Sequence, residues 1–325
     1  IGAKPVGLYL CGLQIIALVL GWHWGSSYYS MLGVGLLLGC AGASFAIALP
    51  IASAAYPPTH QGLAMGVAAI GNSGVLLATF FAPRLAQSFG WQNTFGVMII
   101  PVFLIAIIFW LIVKPSVPKK GLLPGSAISF VKSVIRQKFM YWLCFLYSLT
   151  FGGFVGLASY FPIFLHDQYR IDMITAGTMT AFCGLVGSLA RPIGGHLADR
   201  LGGAILLQAI FPMLAMLGVG LSQLLEPVWA FPMMVTTLLL LGFGNGVVFQ
   251  VASLRFRSMM GTASGLIGAA GGLGGFLFPA CFGFLKDTTG TFAGGFWILV
   301  LISMIAGISV LVVQRSLRLS VQPAE

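Results

Sequence analysis

Apolar residues in this chain run in long blocks, separated by short polar segments. The blocks are Gly7–Trp22, Met31–Ala55, Gly62–Leu85, Phe95–Val113, Met140–Leu165, Met173–Ala198, Ala204–Leu221, Val228–Val251, Gly261–Leu285 and Phe292–Val313. At ~1.5 Å per helical residue, blocks of this length cross or nearly cross ~30 Å of hydrocarbon. None alternates strictly, and each exceeds the roughly 10 residues of a barrel strand. The pattern therefore predicts an all-α polytopic membrane protein. The longest polar stretch, Lys114–Lys138, carries Pro115, Pro118 and Pro124 and divides four spans from six. The predicted organisation is a four-span part over 1–113, a basic linker over 114–139, and a six-span part with a short tail over 140–325. The other connections are short, as in compact helical bundles.

Composition agrees with a bilayer as solvent. The 325 residues are 58% hydrophobic and 7% charged, against about 25% charged in a soluble domain. The formal charge of +10 could suggest a nucleic-acid partner, but the positions of the charges exclude it. Lys4, the six basic residues of the linker, Arg200, Arg255, Arg257, Arg315 and Arg318 all fall on one side of the predicted topology. Arg84, Arg170 and Lys286 fall on the other, together with Asp167, Asp172, Glu226 and Asp287. This asymmetry follows the positive-inside rule and predicts an inner (plasma) membrane protein with both termini cytoplasmic. The five cysteines all lie within spans and read as packing residues.

The two parts repeat each other. Ile1–Leu8 resembles Leu201–Gln208, Gly62–Gly66 resembles Gly261–Gly265, and Ala69–Gly74 resembles Ala269–Gly274, all at an offset of nearly 200 residues. Pro83 and Pro279 fall late in corresponding helices. A parallel repeat of this size is the architecture of a two-bundle transporter with its site between the halves. The second copy has two spans before Leu201, whereas none precedes Ile1. The repeat thus predicts a twelve-span arrangement of which this chain supplies ten.

Arg191 is the only charged residue deep inside a predicted span. The polar turn at Asp199 lies about nine residues on, which sets Arg191 roughly 13 Å into the membrane. A guanidinium there is costly unless something polar or anionic meets it. No Asp or Glu lies within the predicted spans, so the partner is backbone, water or an anionic ligand. Two glycine-rich stretches, with Gly71, Asn72 and Gly74 in one and Gly271, Gly272, Gly274 and Gly275 in the other, also lie within spans. Glycine there permits close helix packing or bares backbone to a small ligand, and Asn72 adds a neutral donor. Tyr147 and Phe151 share a helix face at i, i+4. Asn245 is a possible further polar contact. No intramembrane carboxylate or histidine relay, metal spacing, nucleophile–base pair or phosphate-binding loop is visible. The sequence therefore predicts neither an enzyme nor a cofactor.

Gly195–Gly203, with Asp199 and Arg200, matches the G-x-x-x-D-R-x-G pattern of the major facilitator superfamily. It predicts a gating loop in which Asp199 meets a helix N-terminus or a basic group and Arg200 pairs across the loop. The stretches Gly39–Phe45, Tyr56–Gly66, Gly71–Gly74, Leu189–Gly195 and Gly268–Gly275 resemble the nitrate/nitrite porter family of that superfamily. Val75 stands where the family usually has another glycine. The resemblance covers essentially the whole chain and implies a two-bundle fold carrying nitrate or nitrite by alternating access. It also implies roles. Arg191 would be one of two arginines clamping the anion, Phe45 and Phe151 would stack on its faces, and Tyr147 and Asn72 would hydrogen-bond it. The glycine stretches would form the backbone of the site. The second arginine is expected about ten residues upstream of Ile1 by the repeat offset. Without it, the chain alone is expected to transport poorly. A monomer in the lipid bilayer is expected, with anion exchange preferred over proton coupling. The rival readings are a carrier of a different small anion, a non-transporting nitrate sensor, or an inert truncated product.

The topology is testable by labelling. Cysteines introduced over Lys114–Lys138 should be unreachable by membrane-impermeant reagents added to intact cells. Efficient labelling from outside would invert the assignment.

Overall fold

The structure is a computed structural model and describes residues 3–44, 47–49, 51–52, 56–113 and 132–319. Its helices are α1 (Ala3–Trp24), α2 (Tyr28–Ala41), α3 (Gln61–Ala68), α4 (Gly74–Phe89), α5 (Trp91–Ile112), α6 (Lys138–Tyr169), α7 (Met173–Leu201), α8 (Gly203–Ser222), α9 (Pro227–Arg255), α10 (Met260–Thr289) and α11 (Ala293–Leu319). A 3₁₀ turn over Ala69–Ser73 joins α3 to α4, and together they make one span. Ten helical segments among the described residues are long and apolar enough to cross a membrane. Most of the predicted linker and the chain end lie outside the described residues.

The helices overrun most of the predicted block ends, because a helix continues where its apolar run stops. Three carboxylates expected to lie beyond the spans, Asp167, Asp199 and Asp287, sit in terminal turns of α6, α7 and α10. The loop expected over Asp199–Gly203 shrinks to Gly202, whose φ of +88° suits glycine and turns α7 into α8. Two helices have side-chain caps of their own. Ser27 and Ser30 form a capping box on α2. Asp172 accepts from the backbone N–H groups of Ile174 and Thr175 at the start of α7. Hydrogen bonds, chiefly from Thr175, hold its exposed carboxyl below the usual range.

The sequence repeat reappears as geometry. α4 and α10 each contain an internal proline, Pro83 and Pro279, and each ends on a positive-φ glycine, Gly90 and Gly290. The copies differ in one respect. α10 is continuous through Gly271, whereas α3 breaks before Gly71. A Cβ on Gly271 would stand 2.7 Å from Tyr147 and Phe151, whereas one on Gly71 would meet nothing within 4 Å. At this position the second copy is held by the aromatic pair of α6.

Packing centres on α7. Toward α9 its backbone is approached by Gly242, which faces Gly187, and by Gly246, which faces Arg191. Toward α3 it is approached by Gly62 at Gly195 and by Gly66 at Pro192, where a Cβ would come within 2.6 Å of the proline Cα. α4 continues along the same helix, with Gly177 against the Thr79 carbonyl and Arg84 Nη2 donating to Thr178 Oγ1 at 2.8 Å. One span of the first half thus lies along α7 of the second. α6 packs on α10 in the same small-residue manner through Gly152 and Gly274. Such contacts drive association in lipid, where apolar surface alone gives no preference for protein over acyl chains. The aromatic core, with Phe154, Phe161, Phe164, Phe249 and Phe296, lies in the second half. α5, by contrast, buries no residue and presents Ile100, Leu104, Ile108 and Ile112 outward, as a lipid-facing helix does.

Gly246→Ala should lower the melting temperature in detergent, since its Cβ would be forced onto the Arg191 carbonyl and to 2.8 Å from the Gly195 nitrogen. Overpacking of this kind costs about 1–3 kcal/mol. Gly184→Ala, with nothing within 4 Å, should be neutral. Equal melting temperatures for the two variants would contradict the packing described.

Candidate functional site

Arg191 is fully buried in the middle of α7. Its Nη1 donates to the Ala69 carbonyl at 3.2 Å, across from the first half of the chain. Ala69 is both the C-cap of α3 and the first residue of the 3₁₀ turn over Ala69–Ser73, and a backbone carbonyl has a second lone pair to offer. A cation at a helix C-terminus also meets the negative end of the helix dipole. The guanidinium carbon lies 4.8 Å from the Phe154 ring centre and 5.6 Å from that of Phe151, within range of cation–π attraction. Nε and Nη2 have no hydrogen-bond partner among the described residues. A guanidinium offers five donors. One neutral hydrogen bond and two ring faces leave it under-satisfied and suited to an oxyanion.

Beside it, the Tyr147 and Phe151 rings stack with centroids 5.0 Å apart and planes 3° from parallel. Phe249 of α9 packs edge-on against Tyr147 at 4.7 Å. Gly271 lets α10 close against both rings. The Tyr147 hydroxyl is buried and has no partner. On the far side of this pair opens a cavity of 490 Å³ between the two halves. Gly39 and Ser44 line it from the first half, Tyr147 and Phe151 from α6, and Ser264 and Gly272 from α10. Arg191 is not part of the wall. Phe151 links the two places, since it both lines the cavity and lies near the guanidinium.

The structure sorts the predicted site residues. It brings Arg191, Tyr147, Phe151, Gly271 and Gly272 together. Phe45 lies outside the described residues. Asn72 stands in the 3₁₀ turn with Gly71, and Gly74 opens α4. Among the described residues, nothing lies within 4 Å of a Cβ built on Gly71 or Gly74. Gly274 and Gly275 do not line the cavity. Gly274 is pressed against the Ser148 backbone, and Gly275 makes ordinary contact with Val155.

At the linker end, Asp199 Oδ1 accepts from Gly62 N at 2.9 Å and Oδ2 from Leu63 N at 3.1 Å. The carboxylate of one half thus caps a helix of the other. Arg200, expected to pair across the loop, is exposed and makes no ion pair. α7 continues past it, so it has no loop to span. The ion pair found among the described residues, Lys286 with Asp167, is at the opposite end. Sequence reasoning missed Ala69 and Phe154. Phe154 was within reach, since it lies three residues from Phe151 on the same helix face. Ala69 carries no sequence signal, because its contribution is a carbonyl.

The Major Facilitator Superfamily profile matches residues 1–279. The chain is 32% identical over 273 residues to the nitrite extrusion protein of Bacillus subtilis (strain 168), covering 83% of this chain and 68% of that one. It is 32% identical over 263 residues to the probable nitrate/nitrite transporter NarK2 of Mycobacterium tuberculosis, covering 80% and 66%. It is 29% identical over 281 residues to the probable nitrate transporter NarT of Staphylococcus epidermidis, covering 85% and 71%. The chain therefore spans about two thirds of the length of the relatives it matches. In fold it is similar to the crystal structure of the transporter FucP in the outward conformation, with a TM-score of 0.69 at 16% identity over 95% of this chain and 82% of that one. It is also similar to the human organic anion transporter MFSD10, with a TM-score of 0.66 at 14% identity over 95% and 77%. Buried arginine, inter-half cavity, profile and relatives agree: this chain belongs to the Major Facilitator Superfamily, in its nitrate/nitrite porter family.

Proposed function

We propose that the protein carries nitrate and/or nitrite across the inner (plasma) membrane by alternating access, as a monomer with both termini cytoplasmic and by anion exchange. The observation that carries this reading is the buried Arg191, whose Nε and Nη2 have no partner among the described residues, beside the stacked Tyr147–Phe151 pair. A planar trigonal anion matches this set. Its oxygens accept from the guanidinium fork, and its flat face lies against an aromatic ring. The charges cancel, which makes both ions cheaper to hold away from water. Phe45 is the proposed second ring, Asn72 a neutral donor, and the backbone at Gly71, Gly74 and Gly272 the remaining surface.

In the state described, Arg191 ties the halves together through the Ala69 carbonyl. An incoming anion competes for that guanidinium and so loosens the tie. Binding and rocking of the halves are thereby linked. Asp199 and the Gly62–Gly195 and Gly66–Pro192 contacts close the linker side. Opening toward the cytoplasm requires this cap to break, and re-forming it closes that side again. Exchange follows if the occupied carrier crosses more readily than the empty one, whose guanidinium remains tied.

Proteoliposomes loaded with nitrite and diluted into nitrate test the reading directly. Arg191→Lys keeps the charge but loses the fork, and nitrate affinity should fall at least about tenfold. Phe151→Ala should weaken affinity about fivefold, in the range of a lost aromatic contact, with little loss of folded protein. Wild-type affinity in the Lys variant would refute the clamp.

Asp199→Ala should leave the linker side more open. Two α3 N–H groups lose their acceptor, a change worth about 1 kcal/mol at a helix N-cap. Labelling of His196→Cys, half-buried beside the clamp, should be about fivefold faster in the Ala background. Unchanged labelling would assign Asp199 a role other than closure.

A further inference from the structure

Asn245 of α9 is the buried polar group that the site as described leaves without a task. It is 2% exposed, and neither Oδ1 nor Nδ2 has a partner. A primary amide stripped of water inside a membrane protein is costly unless it is satisfied in some working state. Its neighbours locate it. One turn earlier, Leu241 meets Gly153 of α6, with a leucine methyl 3.3 Å from the built Cβ position. One turn later, Phe249 packs on Tyr147 of α6. Residues at i and i±4 share a helix face, so Asn245 faces α6 between the levels of Tyr147 and Gly153.

That is the level of Thr150 and Phe151, over which the Arg191 guanidinium lies. The flanking residues agree. A Cβ on Gly244 would stand 3.0 Å from Thr150 Cγ2, and Gly246 abuts the Arg191 carbonyl. The Thr150 hydroxyl, the Tyr147 hydroxyl and Arg191 Nε and Nη2 are also buried without partners. Four side chains on three packed helices thus bury polar atoms that have no partner among the described residues. The set is chemically complementary. Arginine only donates, whereas an asparagine amide both accepts and donates.

We propose that Asn245 is a specificity-determining residue of the anion site. In the anion-bound state its Oδ1 accepts from the Nη2–H that the Nε–Nη2 fork leaves over and sets the guanidinium plane, and its Nδ2 donates to an oxygen of the bound oxyanion. This rests on the reading that Arg191 holds the anion. A directional amide donor rewards an anion with several oxygens at fixed angles. A spherical halide gains little from it. Asn245 would therefore separate nitrate and nitrite from chloride, which Arg191 alone would do poorly.

The test is a titration of the purified chain with nitrate, nitrite and chloride, read by calorimetry. Asn245→Leu is similar in shape and lacks the polar atoms. It should lose about tenfold in nitrate affinity, the size of one directional hydrogen bond to a charged group, while chloride affinity changes less than twofold. Asn245→Asp places a carboxylate at the guanidinium and should lose nitrate binding at pH 7. Asn245→Ser, smaller but still polar, should retain part of the nitrate preference and serves if the Leu variant does not fold. A nitrate-to-chloride ratio equal to wild type in the Leu or Ser variant overturns the proposal, even if stability falls, because that is the mark of a purely structural amide. Nitrate binding by wild type with normal affinity in Arg191→Lys overturns the clamp beneath it. No anion binding by wild type overturns both.

Discussion

A full positive charge held in the middle of a membrane is the constraint on which the rest of this structure depends. Arg191 has no carboxylate beside it, and the protein meets its cost with weak, neutral interactions. A backbone carbonyl comes from Ala69, where α3 passes into the 3₁₀ turn. Two phenylalanine faces lie close by, and two donor nitrogens are left open. Each of these depends on something else. The carbonyl sits at the break in the span over Gln61–Phe89. The ring faces require α6 to present Phe151 and Phe154 on one side, three residues apart. The open donors require a ligand that is itself anionic, since water at that depth replaces the missing charge poorly.

The second consequence is mechanical. α7, which carries Arg191, is in backbone contact with α9 on one side and with α3 and α4 on the other. The closest of these contacts are made by glycines, which bring the helix backbones together. The α7–α9 contact lies within the second half and behaves as part of a rigid bundle. The α7–α3 contact joins the halves, and its polar fastenings are few: the Asp199 cap, the Arg191–Ala69 bond and the Arg84–Thr178 bond at the far end. An interface with a few separable polar fastenings can open at one end while it stays closed at the other. Arg191 belongs both to the binding site and to this interface, which is why ligand and movement can be coupled without any titrating carboxylate.

The chemistry of the site is spare for the same reason. Charge balance is deferred until the anion arrives, and specificity then falls to shape and directional donors. The stacked pair Tyr147–Phe151 defines a flat wall between the inter-half cavity and the guanidinium. The hydroxyls of Tyr147 and Thr150 and the Asn245 amide are buried on α6 and α9. On the proposed reading, such a wall with directional donors at its edge favours planar oxyanions over round ones.

Much of this was legible in the sequence. Ten long apolar runs report helices because a bilayer core admits no other open arrangement of backbone. The side preference of lysine and arginine predicts an orientation, which labelling would test. The repeat near 200 residues reports two related bundles, and the motifs around Arg191 and Asp199 report the family. Arg191 stood out as a site residue from depth alone, since burial of an unpaired charge is expensive whatever the fold. Other features were decided only in three dimensions. α7 ran past its apolar block at Ala198, where Asp199 meets the start of α3. The glycines of one motif divided into those that pack, Gly271 and Gly274, and those without a neighbour among the described residues, Gly71 and Gly74, because that depends on which helix lies opposite. Ala69 acts through a carbonyl, which every residue possesses and no sequence pattern marks. Asn245 took on meaning only when the packed helices α6, α7 and α9 were seen to bury polar atoms that have no partner among the described residues. Periodicity and charge are properties of the chain itself, whereas a hydrogen-bond partner or a facing backbone belongs to another segment and exists only once the helices have packed.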